Sequence, residues 1–393
     1  MKIKKTLICC TLCLGLAWPV TAGPVPVETD SLIKDLMERH AVPGLAYALI
    51  EDGEVRQRKT YGYAKVEEGL ELNEDTVMYA ASLTKLVFAV YVLQLVEEGK
   101  LELDAPVASY LKKPLPDYTG DGDSILENYA DLKGDPRWKA LTLRMLLSHT
   151  TGLPNYRFFT PEGTFDRERK LQFFFEPDER YGYSGEGYYI AQLVVEEATG
   201  LDTAAELKRR FFDPLGMTRT SLTWRDDFMP NYAHGYSAAG ENLRHNKQSN
   251  ARAAGSMDTT PHDLSTWIAA LMGGKLLSEQ AFHELVGAGF PITSRHQFPT
   301  LDPAPYPPNR DIGLSAGVGT VNWTGPQGRA FVKGGHNEKT DNLMVCLLAK
   351  NRCVLLMSNA AKGDLIFPEI FEAVLGPAGL PWTWEYASLA AAR

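Results

Sequence analysis

The chain is short of positive charge. Its 393 residues carry 40 lysines and arginines against 49 acids, a formal net charge of −9. That balance argues against a nucleic-acid partner, which needs a basic patch. Cysteine is scarce too. Cys9, Cys10 and Cys13 cluster near the start, and only Cys346 and Cys353 follow. These two flank a hairpin turn expected at Lys350-Asn351. A two-residue turn sets Cys353 opposite Leu348, so the pair stands diagonally and reads as two separate small core residues, not a disulfide. The eight histidines include no His-x-x-x-His pair, which argues against zinc hydrolysis. There is no glycine-rich phosphate loop, no internal repeat and no low-complexity tract. No metal or other cofactor is expected. Glu67-Glu68 and Glu97-Glu98 read as solvated faces.

No segment after the first 22 residues is long and apolar enough to cross a membrane. Lys2, Lys4 and Lys5 precede an apolar stretch from Thr6 to Val20, and Val20-Thr21-Ala22 before Gly23 resembles a small-residue cleavage site. Residues 1–22 therefore read as a signal peptide. Its loss removes three lysines and no acid, taking the charge to −12 and leaving 371 residues. The expected product is exported, periplasmic or secreted, with no membrane span after cleavage. It is long enough for one large domain or two lobes.

Asp30 to His40 reads as a helix, and 44–51 and 55–66 as two strands. From 79 to 310 the pattern is mostly helix and loop, with helical stretches at 82–99, 141–149, 187–199, 203–211, 261–273 and 278–286. Residues 297–309 are proline-rich and read as irregular. Strands return at 330–334, 342–348 and 353–357, and 364–375 is a final helix. The fold class is α/β (α+β). One antiparallel sheet is built from both chain ends (23–78 and 311–393), flanked by helices, with a large helical lobe inserted at 79–310. Ligands then sit in the cleft between the lobes.

Ser82 and Lys85, in Ala80-Ala81-Ser82-Leu83-Thr84-Lys85, stand at the entry to that lobe. Three apart on a helix, their side chains share a face. A serine hydroxyl needs a base to become a strong nucleophile. A buried lysine becomes neutral and can serve as one. The run Leu86 to Val96 is apolar almost all round, so its helix is buried. The same spacing occurs at Ser31/Lys34 and Ser109/Lys112. Ser31 reads as the cap at the start of a surface helix, and Ser109 adjoins the loop Lys112-Lys113-Pro114-Leu115-Pro116. Spacing alone does not choose among the three. Gly182-Tyr183-Ser184-Gly185-Glu186 nearly matches a nucleophile elbow, but Glu186 replaces the last glycine and no clear buried strand precedes it.

Two further segments choose. They are Tyr181-Gly182-Tyr183-Ser184-Gly185-Glu186-Gly187-Tyr188 and Phe331-Val332-Lys333-Gly334-Gly335-His336-Asn337. With Leu141 to Pro154, Asp213-Pro214-Leu215-Gly216-Met217 and Thr260-Pro261-His262-Asp263-Leu264, they give the chain a resemblance to the penicillin-recognising serine hydrolases. These are the class C β-lactamases, DD-peptidases and related serine esterases. The resemblance implies a β-lactamase-like fold, with Ser82 as the acylated nucleophile and Lys85 assisting its deprotonation. Tyr183 matches the tyrosine of a Tyr-x-Asn element and shares the acid–base work. A nearby ammonium should help it release a proton. Lys333-Gly334-Gly335 resembles Lys-Thr-Gly on the cleft strand, and Lys333 suits an anionic substrate. By the same resemblance the N–H groups of Ser82 and His336 form the oxyanion hole. Gly185 stands where asparagine is usual, which weakens the case for a peptide-like substrate unless Glu186 or a distant Asn fills the gap. His336 replaces a commoner small residue. The class A deacylating glutamate and a Ser-Asp-Asn triplet have no counterpart. His149 is expected to support a loop. The implied partner is a small molecule: a β-lactam, a D-amino-acid peptide or an ester. The other reading is a non-catalytic penicillin-binding sensor or scaffold on the same fold.

Overall fold

Side chains on a strand alternate between the two faces of its sheet, and Gly44–Glu51, Thr340–Leu347 and Arg352–Ser358 are buried on both. They therefore need cover on each side. The computed structural model describes residues 27–120, 128–298 and 304–391, and the expected signal segment 1–22 lies outside them. Nine antiparallel strands form the main sheet. At its centre Gly44–Glu51 pairs with Arg352–Ser358, Leu45 opposite Ser358, which joins the two chain ends as expected. Thr340–Leu347 and Gly328–Asn337 continue the sheet outward. One face, through Ala46, Phe331 and Met344, packs on the helical lobe. The other, through Leu45, Val332 and Leu356, packs on the helices Val27–His40 and Gly363–Leu375.

The helix Leu83–Glu97 has no polar face, and twelve of its 15 residues are buried. The other helices of the lobe start where small polar residues can cap them. Thr142, Ser184, Asp202, Thr260 and Ser278 each accept a backbone N–H from three residues on. His262 lies in the first turn of Pro261–Met272, as expected. No described helix is long and apolar enough to cross a membrane.

Four expectations differ. The strands Leu70–Glu71, Phe290–Pro291, Ser315–Ala316 and Val321–Gly325 extend the sheet, and the first three are too short to show a period in sequence. Pro308–Asp311 makes a helical turn inside the proline-rich stretch. The helix expected over 203–211 changes to a wider π turn at Lys208–Phe212. Most plainly, Cys346 and Cys353 are directly opposed and joined by a disulfide. The hairpin closes at Leu347 and Arg352 rather than at a two-residue turn. Its loop contains a 3-10 turn at Leu348–Lys350 and a left-handed Asn351, and this length moves Cys353 from Leu348 to Cys346. On chain-entropy grounds a cross-link over a loop this short contributes roughly 2–3 kcal/mol. Dithiothreitol should accordingly lower the melting temperature by several degrees, and an unchanged melt would contradict the pairing.

Candidate active site

The loop entering the central helix is tightly held. Ala81 adopts a left-handed φ of 48°, a conformation that costs a non-glycine residue about 1 kcal/mol or more. Thr84 holds it there. Its hydroxyl donates to the Ala81 carbonyl at 2.6 Å and accepts the Met257 N–H at 3.1 Å. Ser82 follows, partly exposed, at the helix start. Lys85 Nζ donates to Ser82 Oγ at 3.0 Å and to the Ala254 carbonyl. Lys85 is 2% exposed. Burial pushes its amine well below the usual ammonium range, and the Lys333 charge pushes the same way. The competing serines are elsewhere. Ser31 is exposed inside its helix rather than capping it, and Ser109 is exposed and bonded to the Pro106 carbonyl.

Tyr183 stands over this pair. Its Oη accepts from Lys333 Nζ at 3.2 Å. Burial raises its pKa above the usual phenol value, against the lowering effect of a hydrogen bond with Ser82. The phenol is thus kept protonated, contrary to the expectation of easier ionisation. His149 stacks on Tyr183 with ring centroids 4.2 Å apart. Its Nδ1 accepts the Ser184 N–H at 3.0 Å. Burial, with Lys333 and Lys85 nearby, keeps its ring neutral. His149 therefore braces the tyrosine, a role its loop position in sequence does not reveal. Ser184 is fully buried, caps its helix through Gly187 N–H and donates to the Pro154 carbonyl, so it is no elbow nucleophile.

Gly335 brings the cleft strand against the serine. A Cβ there would lie 2.5 Å from the Ala80 carbonyl and 3.0 Å from Ser82 N. Asn342, which the sequence did not mark, ties the two together by donating to the carbonyls of Tyr79 and Gly335 at 3.1 and 2.9 Å. His336 lines the cavity, its pKa pushed down to about 4 by burial and then by Lys333 and Lys85. Lys333 is only 6% exposed and sits behind Tyr183 rather than in the cavity wall.

Gly185 has a local reason. A Cβ there would lie 2.4 Å from the Asn155 carbonyl oxygen and 3.0 Å from Asn155 Oδ1. The Asn155 carboxamide thus occupies the space beside residue 185, and Asn155 lines the cavity. Glu186 does not fill the gap. It is fully buried and holds Arg157 through a two-pronged ion pair at 2.8 and 3.0 Å. The cavity beside Ser82 is about 550 Å³, walled by Phe159, Phe174, Phe298 and Tyr386. Among the described residues no cluster of histidines, cysteines and acids is placed to hold a metal. The geometry suits acyl transfer: a serine, a neutral amine on its hydroxyl, and a protonated phenol beside both.

Comparison with known proteins places the chain in a family. A family model described as "Beta-lactamase" matches residues 29–375. Penicillin-binding protein 4* of Bacillus subtilis is 28% identical over 223 residues, covering 53% of this chain and 44% of that one. The chain thus spans less than half the length of this relative. The fold resembles a β-lactamase/D-alanine carboxypeptidase from Pseudomonas syringae, with a TM-score of 0.67, 15% identity, and 89% and 98% of the two chains covered. It also resembles a D-amino acid amidase from Ochrobactrum anthropi, with a TM-score of 0.64, 22% identity, and 88% and 99% covered.

Proposed function

As a member of the beta-lactamase family, we propose, this chain is a serine hydrolase that works through an acyl-enzyme on Ser82. The observation that carries the reading is the 3.0 Å contact between Ser82 Oγ and a buried lysine amine whose protonated form is disfavoured. Lys85 takes the hydroxyl proton as Oγ attacks a substrate carbonyl. The N–H groups of Ser82 and His336 receive the developing oxyanion; one such donor is typically worth about 10²–10³ in rate. Tyr183, held protonated and bonded to Lys333, returns a proton to the leaving group. Lys85 passes its proton to the Tyr183 oxygen; water then attacks the acyl carbonyl, gives its proton to Lys85, and that proton goes to Ser82 Oγ as the acid leaves.

The substrate classes are a β-lactam, a D-amino-acid peptide and an ester. The similar proteins are named as a penicillin-binding protein, a β-lactamase/D-alanine carboxypeptidase and a D-amino acid amidase, and the last two names describe hydrolysis at a carbonyl. Residues 1–22 act as an export signal, and a disulfide between Cys346 and Cys353 suits an oxidising compartment. An amide missing at Gly185 would favour a non-catalytic sensor, but the Asn155 carboxamide stands in that space.

A fluorophosphonate should add once per chain, with the adduct mapping to the Ser82 peptide. A short-chain nitrophenyl ester should then turn over many times per site. Absence of an adduct would refute the reading, and a stoichiometric burst without turnover would replace it with the sensor.

A further inference from the structure

Beyond Leu375, where the family match ends, the chain returns to the cleft. The short helix Trp382–Glu385 and the residues after it place Glu385, Tyr386, Ala387 and Ser388 in the cavity wall. Glu385 is only 4% exposed. Its Oε2 accepts from Gln297 at 3.0 Å, while Oε1 has no hydrogen-bond partner among the described residues. A buried carboxylate oxygen left unpaired is costly. It stands beside Gly334, where a Cβ would be 2.3 Å from Oε1. Residue 334 is the position of the threonine in the Lys-Thr-Gly element that this strand resembles. Glycine there clears the space, and the carboxylate fills it.

We propose that Glu385 is a specificity-determining residue. It is an internal counter-ion to Lys333 that excludes substrates carrying a carboxylate beside the scissile bond and directs the site to carboxylate-free acyl esters and amides. The proposal rests on Ser82 being the acylated residue.

Three observations support it. Glu385 lines the cavity, whereas Lys333 does not. The two act on each other electrostatically: burial disfavours the charged form of each, and the charge of each favours the charged form of the other. The remaining basic groups nearby offset nothing. Burial favours the neutral forms of both Lys85 and His336, and among the described residues the only other charged one in the cavity wall is the acid Glu162. An incoming carboxylate therefore meets acids and apolar rings, with no cation among the described residues of the cavity wall to receive it. Placing like charges together in a desolvated site carries a large penalty.

The test uses two esters that differ in one group: the phenylacetyl ester of 3-hydroxybenzoate, and the same compound with its carboxylate methylated. The wild-type protein should favour the methylated ester in kcat/KM by about tenfold or more, the scale of a like-charge penalty. Glu385→Gln keeps the shape and the Gln297 contact but removes the charge. It should shift the ratio towards the free carboxylate by at least about tenfold, as Lys333 becomes unopposed. Glu385→Ala should shift it in the same direction. A wild-type preference for the free carboxylate, or a ratio unmoved in Glu385→Gln, overturns the proposal. Fluorophosphonate labelling of each variant separates the two levels: with Ser82 labelled and the ratio unmoved, only the role of Glu385 fails, and without labelling the acyl-enzyme reading fails.

Discussion

Replacing Ser82 with alanine abolishes fluorophosphonate labelling and lowers ester turnover by roughly 10⁴-fold or more, the range seen when a hydrolase loses its nucleophile. The fold should tolerate the change. Ser82 sits at the helix start without capping it, so its hydroxyl carries no backbone N–H that would be left unpaired. What remains is the preorganised cleft, which still binds substrate and supports a small residual rate. Ser184→Ala is the informative control. Ser184 accepts the Gly187 N–H as a helix cap, so its loss should cost about 1 kcal/mol of stability while labelling of the folded protein persists. Label on Ser82→Ala, or loss of label only in Ser184→Ala, would move the nucleophile to the wrong serine for the geometry described.

Lys85→Met separates the base from the nucleophile. Methionine matches the apolar stem and suits a helix buried on nearly every side. Without the amine nothing takes the Ser82 proton, and turnover should fall by about 10²–10⁴-fold. The pH profile carries a second signature. In the wild-type protein kcat/KM should rise with pH as Lys85 loses its proton, then level off, and that rise should vanish in the variant.

Stability should respond as well. The folded-state pKa of Lys85 lies well below the 10.5 of a free lysine ammonium, so between those values the unfolded chain binds the extra proton. Stability therefore rises with pH through that window, up to about pH 10, and below the folded pKa the cost of burying the lysine is constant. Lys85→Met lacks this term. The gap in melting temperature between variant and wild type should drift in favour of the wild type as pH is raised from 7 to 10. A constant gap would mean that Lys85 is not held neutral.

Several elements were legible because their signal is local. The apolar run after Lys85 predicts a helix buried all round, and 83–97 is one. Apolar runs at both chain ends predict strands that share a sheet. Caps and glycines mark the helix ends within a few residues. The nucleophile pair was legible only in company. Ser82 and Lys85 share their spacing with two other pairs, and the tyrosine and lysine segments broke the tie. Turn length was not legible. The extra residues at Leu348–Asn351 changed which residue faces Cys346, and with it the state of both cysteines.

Sequence by itself determined the helix that buries Lys85, the sheet made from both chain ends, and the residue types able to perform acyl transfer, because periodicity and short-range spacing are properties of contiguous chain. Tertiary structure alone decided what surrounds them. It put His149 beneath Tyr183, Asn155 beside Gly185 and Glu385 beside Gly334. Each of these contacts joins residues at least 30 positions apart, and burial, which sets the charge of Lys85, Tyr183 and Lys333, exists only once such segments meet. Lys333 read alone is a cation awaiting an anionic substrate. Once folded it has a carboxylate of its own chain for a neighbour, and the cavity presents that carboxylate instead.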